Sequence, residues 1–436
     1  MTTTAPAGIP PPVAPEELLA HVGPGTDVIV PVANGEPVAF LDALEAAADS
    51  LEGARVNQLL CLRPRRHHTG CFGTRLRHVS YFLGAPLRQN FERGEIDLVP
   101  NDFHAVPEIL RRRCIRPLLV VAASAPDRHG YVSLGVAADY AAALLGEVPV
   151  VVEVNPQMPR TEGLHTFRLA DAVAWTERNT ALVEVPEPEP TAVDHAIAAL
   201  VAERIPDGAT LQIGIGAVPG LVAGLLTDHR DLGIHTELLG DAGMRLIDSG
   251  AVTGRHKSRE KGLATTTTVM GTSALYDWAD ENPALFMLPV DISNHPCVIA
   301  SQPDVAAINA TMQVDLLGQC ASESLGTHYV SSTGGQADFM RGAQLSDGGQ
   351  SFIVTHATAH DTASGTTVSR IVSTLSDGAV VTAHKNLVDK VVTEHGVAEL
   401  TGRTAAERAR ALIAVAAPEF REVLGRAAHE RGLLWD

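Results

Sequence analysis

A chain of 436 residues that is 45% hydrophobic and 19% charged reads as two or three folded domains at ~150 residues each, which excludes disorder, collagen-like repeats and small disulfide scaffolds. Its 33 basic and 51 acidic residues leave a net charge of −18, so its average field repels nucleic acid and acidic membranes, and an anionic ligand needs a local basic pocket. Five cysteines (Cys61, Cys71, Cys114, Cys297 and Cys320), odd in number and without CxxC spacing, form neither a disulfide nor a zinc framework and fit a reducing cytosol.

The start, Met1 to Pro12, lacks the basic opening and apolar run of a secretory signal. No segment approaches the ~20 apolar residues of a membrane span. A cytoplasmic protein without membrane or nucleic-acid partners is expected. Short apolar runs at Asp27–Pro31, Pro117–Ala122 and Val148–Glu153 then alternate with helical patterns, the rhythm of an α/β domain with a largely parallel sheet. Within this half, His67-His68 beside Arg63, Arg65 and Arg66 has the make-up of a metal or anion site, but adjacent histidines in a basic loop more often face solvent, which is the expectation; Arg111–Arg116 is expected to be a solvated helix end. The stretch Pro186-Glu-Pro-Glu-Pro190 continues neither helix nor central strand. We therefore expect a first domain at 1–185, a linker at 186–190 and a second domain at 191–436.

The second half repeats the rhythm with strands at Ala209–Gly214, Ala284–Val290 and Ser351–Val354 and a helix through Leu221–Leu226. Two short echoes link the halves: Val32-Ala-Asn-Gly-Glu-Pro37 with Gly214-Ile-Gly-Ala-Val-Pro219, and Glu153-Val-Asn-Pro156 with Asp291-Ile-Ser-Asn-His-Pro296. They suggest a duplicated α/β unit with a cleft between the copies. Near the end, Thr404 and Glu407 have the spacing of a capping box ahead of a helix.

Four runs carry candidate chemistry. In Gln212–Gly220, glycines follow a strand and Pro219 suits the first position of a helix; such turns expose N–H groups to phosphate or an oxyanion. Next, Ile234–Gly240 reads as a strand with Glu237 near its carboxyl end, where open α/β sheets place ligands, and with His235 on the same face. Glu237 follows Gly216 by 21 residues, which imitates a dinucleotide fingerprint, but Pro219 stands where its third glycine belongs. A nicotinamide-dependent oxidoreductase is thus a remote alternative. The third run, Ser331–Gly342, offers backbone amides at Gly334-Gly335 beside Gln336 and Asp338. In the fourth, Asp291–Pro296, Asn294 is a hydrogen-bond donor or part of an Asn-Pro turn.

From Gly214 to about Leu424 the chain resembles the acetyl-CoA hydrolase/transferase family, class I CoA-transferases of the 4-hydroxybutyrate or butyryl-CoA:acetate type. The resemblance rests on Gly214–Pro219, Gly233–Glu237, Val269–Thr272 with Leu275–Asp277, Ala307–Asn309, Val314–Gln319, Glu323-Ser324, Gly334–Phe339, Ser369–Ile371 and Val391–Glu394, and more weakly on Ala125–Gly135 and Glu153–Arg160. It implies a tandem of two similar open α/β domains with the active site in the interdomain cleft, and Glu237 as nucleophile. It further implies that Gly214, Ile215, Gly216, Ala217 and Val218 and the loop of Gly334, Gly335 and Gln336 bind CoA and stabilise oxyanions. By the same resemblance Asn294 lies near the reacting carbonyl and Lys257 meets a CoA phosphate. Coenzyme A and acyl-CoA enter as substrates, with no resident cofactor or metal, a short carboxylate as acceptor, and a homo-oligomeric assembly.

The implied chemistry is coherent. An ordinary glutamate, pKa ~4.3, is an anion at neutral pH and needs no separate base to attack a thioester. Transfer and hydrolysis differ only in whether a carboxylate or water reaches the glutamyl adduct, and a carboxylate pocket favours transfer. The acyl group stays open, because His104, His328, His395 and Lys390 stand where relatives vary or carry aromatics.

Overall fold

The computed structural model describes residues 9–361 and 364–435. Among them the chain divides into two compact units, 1–186 with 265–294, and 187–264 with 295–436. The division after Pro186 falls beside the proline-rich stretch, but the sequence expectation runs the second domain unbroken to 436. Instead, 265–294 returns to the first unit, where the amides of Ala138 and Val269 bond to Thr267 and Val136 and Met287 is bracketed by Glu162 and Leu164. Backbone pairing of this kind joins residues far apart in sequence, and no local composition shift announces it.

In the first unit seven strands lie in the order Asp97–Leu98, Leu76–Ser80, Ala54–Gln58, Asp27–Ile29, Pro117–Ala123, Val150–Val154, Ala174–Glu177. All neighbours are parallel. The run Val150–Val154 is buried at every residue, as a parallel strand covered on both faces requires. Beside this sheet, Arg111, Arg112 and Arg113 end the helix Val106–Arg113 at the surface as expected. His67 and His68 do not follow expectation. The short 3-10 turn Arg66–Thr69 folds both inward, and they are 0% and 2% exposed.

The second unit's sheet has six strands in the order Gly233–Ile234, Thr210–Ile213, Val305–Ala310, Gln350–Val354, Lys390–Thr393, Gly396–Glu399. The first five are mutually parallel and the last closes antiparallel. The helices Ala192–Ala202 and Ala217–Leu225 bury Ile197, Val201, Val218 and Val222 against Leu211, Ile308 and Phe352. Helix Ala405–Val415 begins with the expected capping box: Thr404 Oγ1 accepts the Glu407 amide at 3.2 Å, and the Glu407 carboxylate accepts the Thr404 amide at 2.8 Å. Successive strands depart to opposite sides of Thr210–Ile213. Its carboxyl end is therefore a switch point, where open α/β sheets leave a crevice for ligands. No described helix is long and apolar enough to cross a membrane.

Candidate active site

A cavity of about 440 Å³ opens at that switch point, lined from the strand ends by Gln212, Asn309 and Thr355 and from the next turns by Gly214–Pro219 and Glu237. All of its lining belongs to the second unit. Gly216 sits at φ 132°, a backbone that a side chain disfavours, and is the N-cap of helix Ala217–Leu225. A Cβ built on Gly214 would meet nothing within 4 Å. Pro219 is the third helical residue and not the first as expected. There too its missing N–H belongs to the first turn, whose amides have no intrahelical acceptor.

The second glycine pair reaches the same space. Gly334 turns at φ 56°, and Gly335 caps helix Gln336–Leu345. Gly335, Gln336 and Phe339 line the cavity. The approach to this loop is held by Glu323, whose carbonyl accepts the Val330 and Ser331 amides and whose carboxylate accepts Thr333 Oγ1 at 3.1 Å. Two helix N-termini, neither capped by a side chain of its N-cap residue, thus edge one cavity with the partial positive charge of their first turns.

Glu237 lies on the bend just beyond strand Gly233–Ile234, half-buried, with its neighbour His235 enclosed. Its place is set by Thr236, 1% exposed. That hydroxyl accepts the Ile213 amide at 3.2 Å and lies 3.0 and 3.1 Å from the carbonyls of Ile213 and Leu238. One side chain therefore ties the glutamate bend to the residue before Gly214. Ile215 is 41% exposed on the same rim.

Lys257 and Asn294 do not join the cavity lining among the described residues. Lys257 is 0% exposed and donates from Nζ to the carbonyls of Ile234 (2.9 Å) and Leu263 (2.8 Å). Burial pulls its pKa down to about 7 against the attraction of Glu260. The expected phosphate contact is thus corrected: this ammonium braces the strand that leads to Glu237. Its stem passes so near Gly233 that a Cβ there would lie 2.8 Å from Lys257 Cγ. Asn294 is fully buried as the C-cap of helix Val290–Ser293 in the first unit, and its Oδ1 accepts Ser293 Oγ at 2.9 Å.

Sequence reasoning passed over the polar wall of the cavity, formed by Asp194, His356 and Arg370. Asp194 Oδ1 meets His356 Nε2 at 2.8 Å, and its other oxygen takes the Thr191 amide and hydroxyl at 2.8 and 2.6 Å. Burial acts to raise the Asp194 pKa, but these bonds hold it below the ordinary value. Arg370 is shifted down by burial, offset by Glu394, and its Nε is buried without a hydrogen-bond partner. This cation fits the negative charge of a carboxylate entering the cavity. The run Ser369–Ile371 drew notice for its resemblance alone. Its depth in the wall, like the pairing of Asp194 with a histidine 162 positions away, has no local periodicity.

The chain matches the acetyl-CoA hydrolase/transferase N-terminal domain over residues 13–183 and the C-terminal domain of the same name over 271–428. It is 41% identical to a succinyl-CoA:cyclohexane-1-carboxylate CoA transferase of Geobacter metallireducens, across 95% of this chain and 94% of that one. A 4-hydroxybutyrate coenzyme A transferase of Clostridium kluyveri is 37% identical across 94% and 96%. The crystal structure of RipA from Yersinia pestis superposes with a TM-score of 0.90 at 35% identity, covering 97% of this chain and 98% of that one.

Proposed function

The chain belongs to the acetyl-CoA hydrolase/transferase family, and from that premise we propose that it moves coenzyme A between a short-chain acyl-CoA and a small carboxylate through a covalent thioester on Glu237. The observation that supports this is one glutamate sharing a cavity with two glycine-led helix N-termini. The carboxylate attacks the thioester carbonyl, the C–S bond breaks, and an acyl-glutamyl anhydride and CoA thiolate result. The thiolate attacks the glutamyl carbonyl, giving a glutamyl-CoA thioester and the free acid anion. A second carboxylate then runs the two steps in reverse and leaves as a new acyl-CoA, with Glu237 regenerated.

Each step passes through a tetrahedral oxyanion. A backbone donor preorganised for it is worth ~3 kcal/mol, or roughly 100-fold in rate. We assign that task to the amides of the two turns, with Ile215 and Gly335 as the donors, while Gly214, Gly216, Ala217, Val218, Gly334 and Gln336 shape the CoA path. Arg370, half-buried in the wall, is assigned to the acceptor carboxylate.

Glu237→Ala is expected to lower transfer by ~10³-fold or more, as loss of a covalent nucleophile does, while CoA still binds. Mass spectrometry of enzyme incubated with acyl-CoA should find the CoA adduct on the peptide that contains Glu237; retained turnover, or an adduct elsewhere, overturns the assignment. The half-burial of Glu237 also favours a second reading, hydrolysis by water at the same adduct. Release of free CoA without an acceptor, at a rate matching transfer, would make that reading the main activity.

A further inference from the structure

Away from the cavity, the first unit encloses a cluster of three histidines: His67 and His68 from the turn Arg66–Thr69, and His78 from strand Leu76–Ser80. Their exposures are 0%, 2% and 0%, and one ring nitrogen from each lies within 4.8 Å of the others. Four ring nitrogens in this small volume, Nε2 of His67, Nε2 of His68 and both of His78, are buried without a hydrogen-bond partner. Buried imidazoles rarely go unsatisfied, and such a concentration calls for an occupant of the space between the rings.

The surroundings set the tautomers. Glu45 Oε1 accepts the His67 backbone amide at 2.8 Å and lies 2.7 Å from Nδ1. The proton therefore sits on His67 Nδ1, and the Nε2 lone pair faces the cluster. A carboxylate behind a histidine in this way is the usual outer support of a metal-bound imidazole. Neighbouring cationic charge is neutralised: Arg65 is paired with Glu36 at 2.6 Å and Asp42 at 2.8 Å.

We propose that His67, His68 and His78 bind a divalent transition-metal ion of the imidazole-preferring class, zinc(II) foremost. Imidazole nitrogens at about 2.0–2.1 Å from tetrahedral zinc stand about 3.4 Å apart, so from separations within 4.8 Å the rings close in by at most ~1.4 Å on loading. His68 Nδ1 accepts the Arg65 amide at 3.2 Å in the metal-free arrangement. On loading, the His68 proton passes from Nε2 to Nδ1, that long contact is released, and the Nε2 lone pair goes to the metal. The ion cross-links the turn to the sheet and, through Glu45, to helix Val38–Ala46. It is a structural site, separate from the residues assigned to CoA transfer.

The full chain, stripped with chelator, should bind one zinc(II) by calorimetry. Cobalt(II) in its place should show the strong visible absorption of a low-coordinate imidazole site, and zinc should raise the melting temperature. His67→Gln and His78→Gln should each remove the cobalt signal and the stabilisation. Should those variants fold poorly, Glu45→Gln keeps all three ligands and is expected to weaken zinc ~10–100-fold, and X-ray absorption of the zinc-loaded wild type should count three imidazoles. The proposal fails if the wild type binds no stoichiometric metal, if its spectrum reports fewer than three imidazoles, or if binding survives both histidine substitutions. It fails equally if an experimental structure of the zinc-treated protein shows a water among the rings.

Discussion

The turn after the first strand exists twice in this molecule, and the two copies have opposite fates. After Asp27–Ile29 the chain folds through Ala33–Gly35 into helix Val38–Ala46; after Thr210–Ile213 it folds through Gly214–Gly216 into helix Ala217–Leu225. In the first unit this turn is packed closed. A Cβ on Gly35 would lie 2.6 Å from Pro31 and 2.8 Å from Ala137. The side chain of Asn34 is tied to both backbone groups of Val183, and Glu153 places its carboxylate on the helix N-terminus, accepting the Ala39 and Phe40 amides at 2.8 and 3.1 Å. In the second unit the corresponding N-terminus faces a cavity. The lesson is that an internal carboxyl group occupies one helix end, while the other faces open space, as the proposed binding of an anionic substrate group requires.

The largest effect that sharpens this contrast concerns Glu153. Burial pushes its pKa up to about 7 against the helix amides, and Asp139 in the same unit is likewise raised to about 7. A carboxyl protonated more readily in the folded state stabilises it at low pH, and this contribution is lost as pH rises from about 4.5 to about 7. Glu153→Gln should flatten that decline by up to ~3 kcal/mol, leaving the share of Asp139; denaturant melts at several pH values measure it. An unaltered slope would mean that the helix end does not hold the charge as drawn. Next, Gly216→Ala forces a side chain into φ 132° and should lower kcat ~100-fold with folding retained, whereas Gly35→Ala should destabilise without a specific effect on kcat. Equal kinetic losses from both would erase the distinction between the turns. Smallest, Thr236→Val removes the hydroxyl that anchors the Glu237 bend and should cost ~10-fold in kcat, with KM for acyl-CoA changing less.

Much of this was legible in the linear chain, for identifiable reasons. Strands such as Pro117–Ala123 announce themselves because a parallel sheet covered on both faces needs unbroken apolar runs. The turn at Gly214–Gly216 and the capping box at Thr404 are local devices, so spacing alone reveals them. Lys257 misled, since a lone lysine in a family-like run reads as a ligand contact, yet its ammonium ends on two carbonyls that only folding brings near. His67 and His68 misled for a related reason: a basic neighbourhood implies water, but Arg65 is neutralised by Glu36 and Asp42, and the turn folds the rings inward.

The amino-acid order by itself determined the two-fold α/β rhythm, the glycine turns and a strand leading to Glu237, which ends at Ile234 rather than running on to Gly240; these follow from periodicity and backbone freedom over a few residues. Tertiary structure alone decided which helix end stays open, that residues 265–294 return to the first unit, and that Asp194, His356 and Arg370 share a wall with the glutamate. Those outcomes depend on pairings between distant side chains and on what burial does to their charge, and neither quantity exists until the sheets have formed.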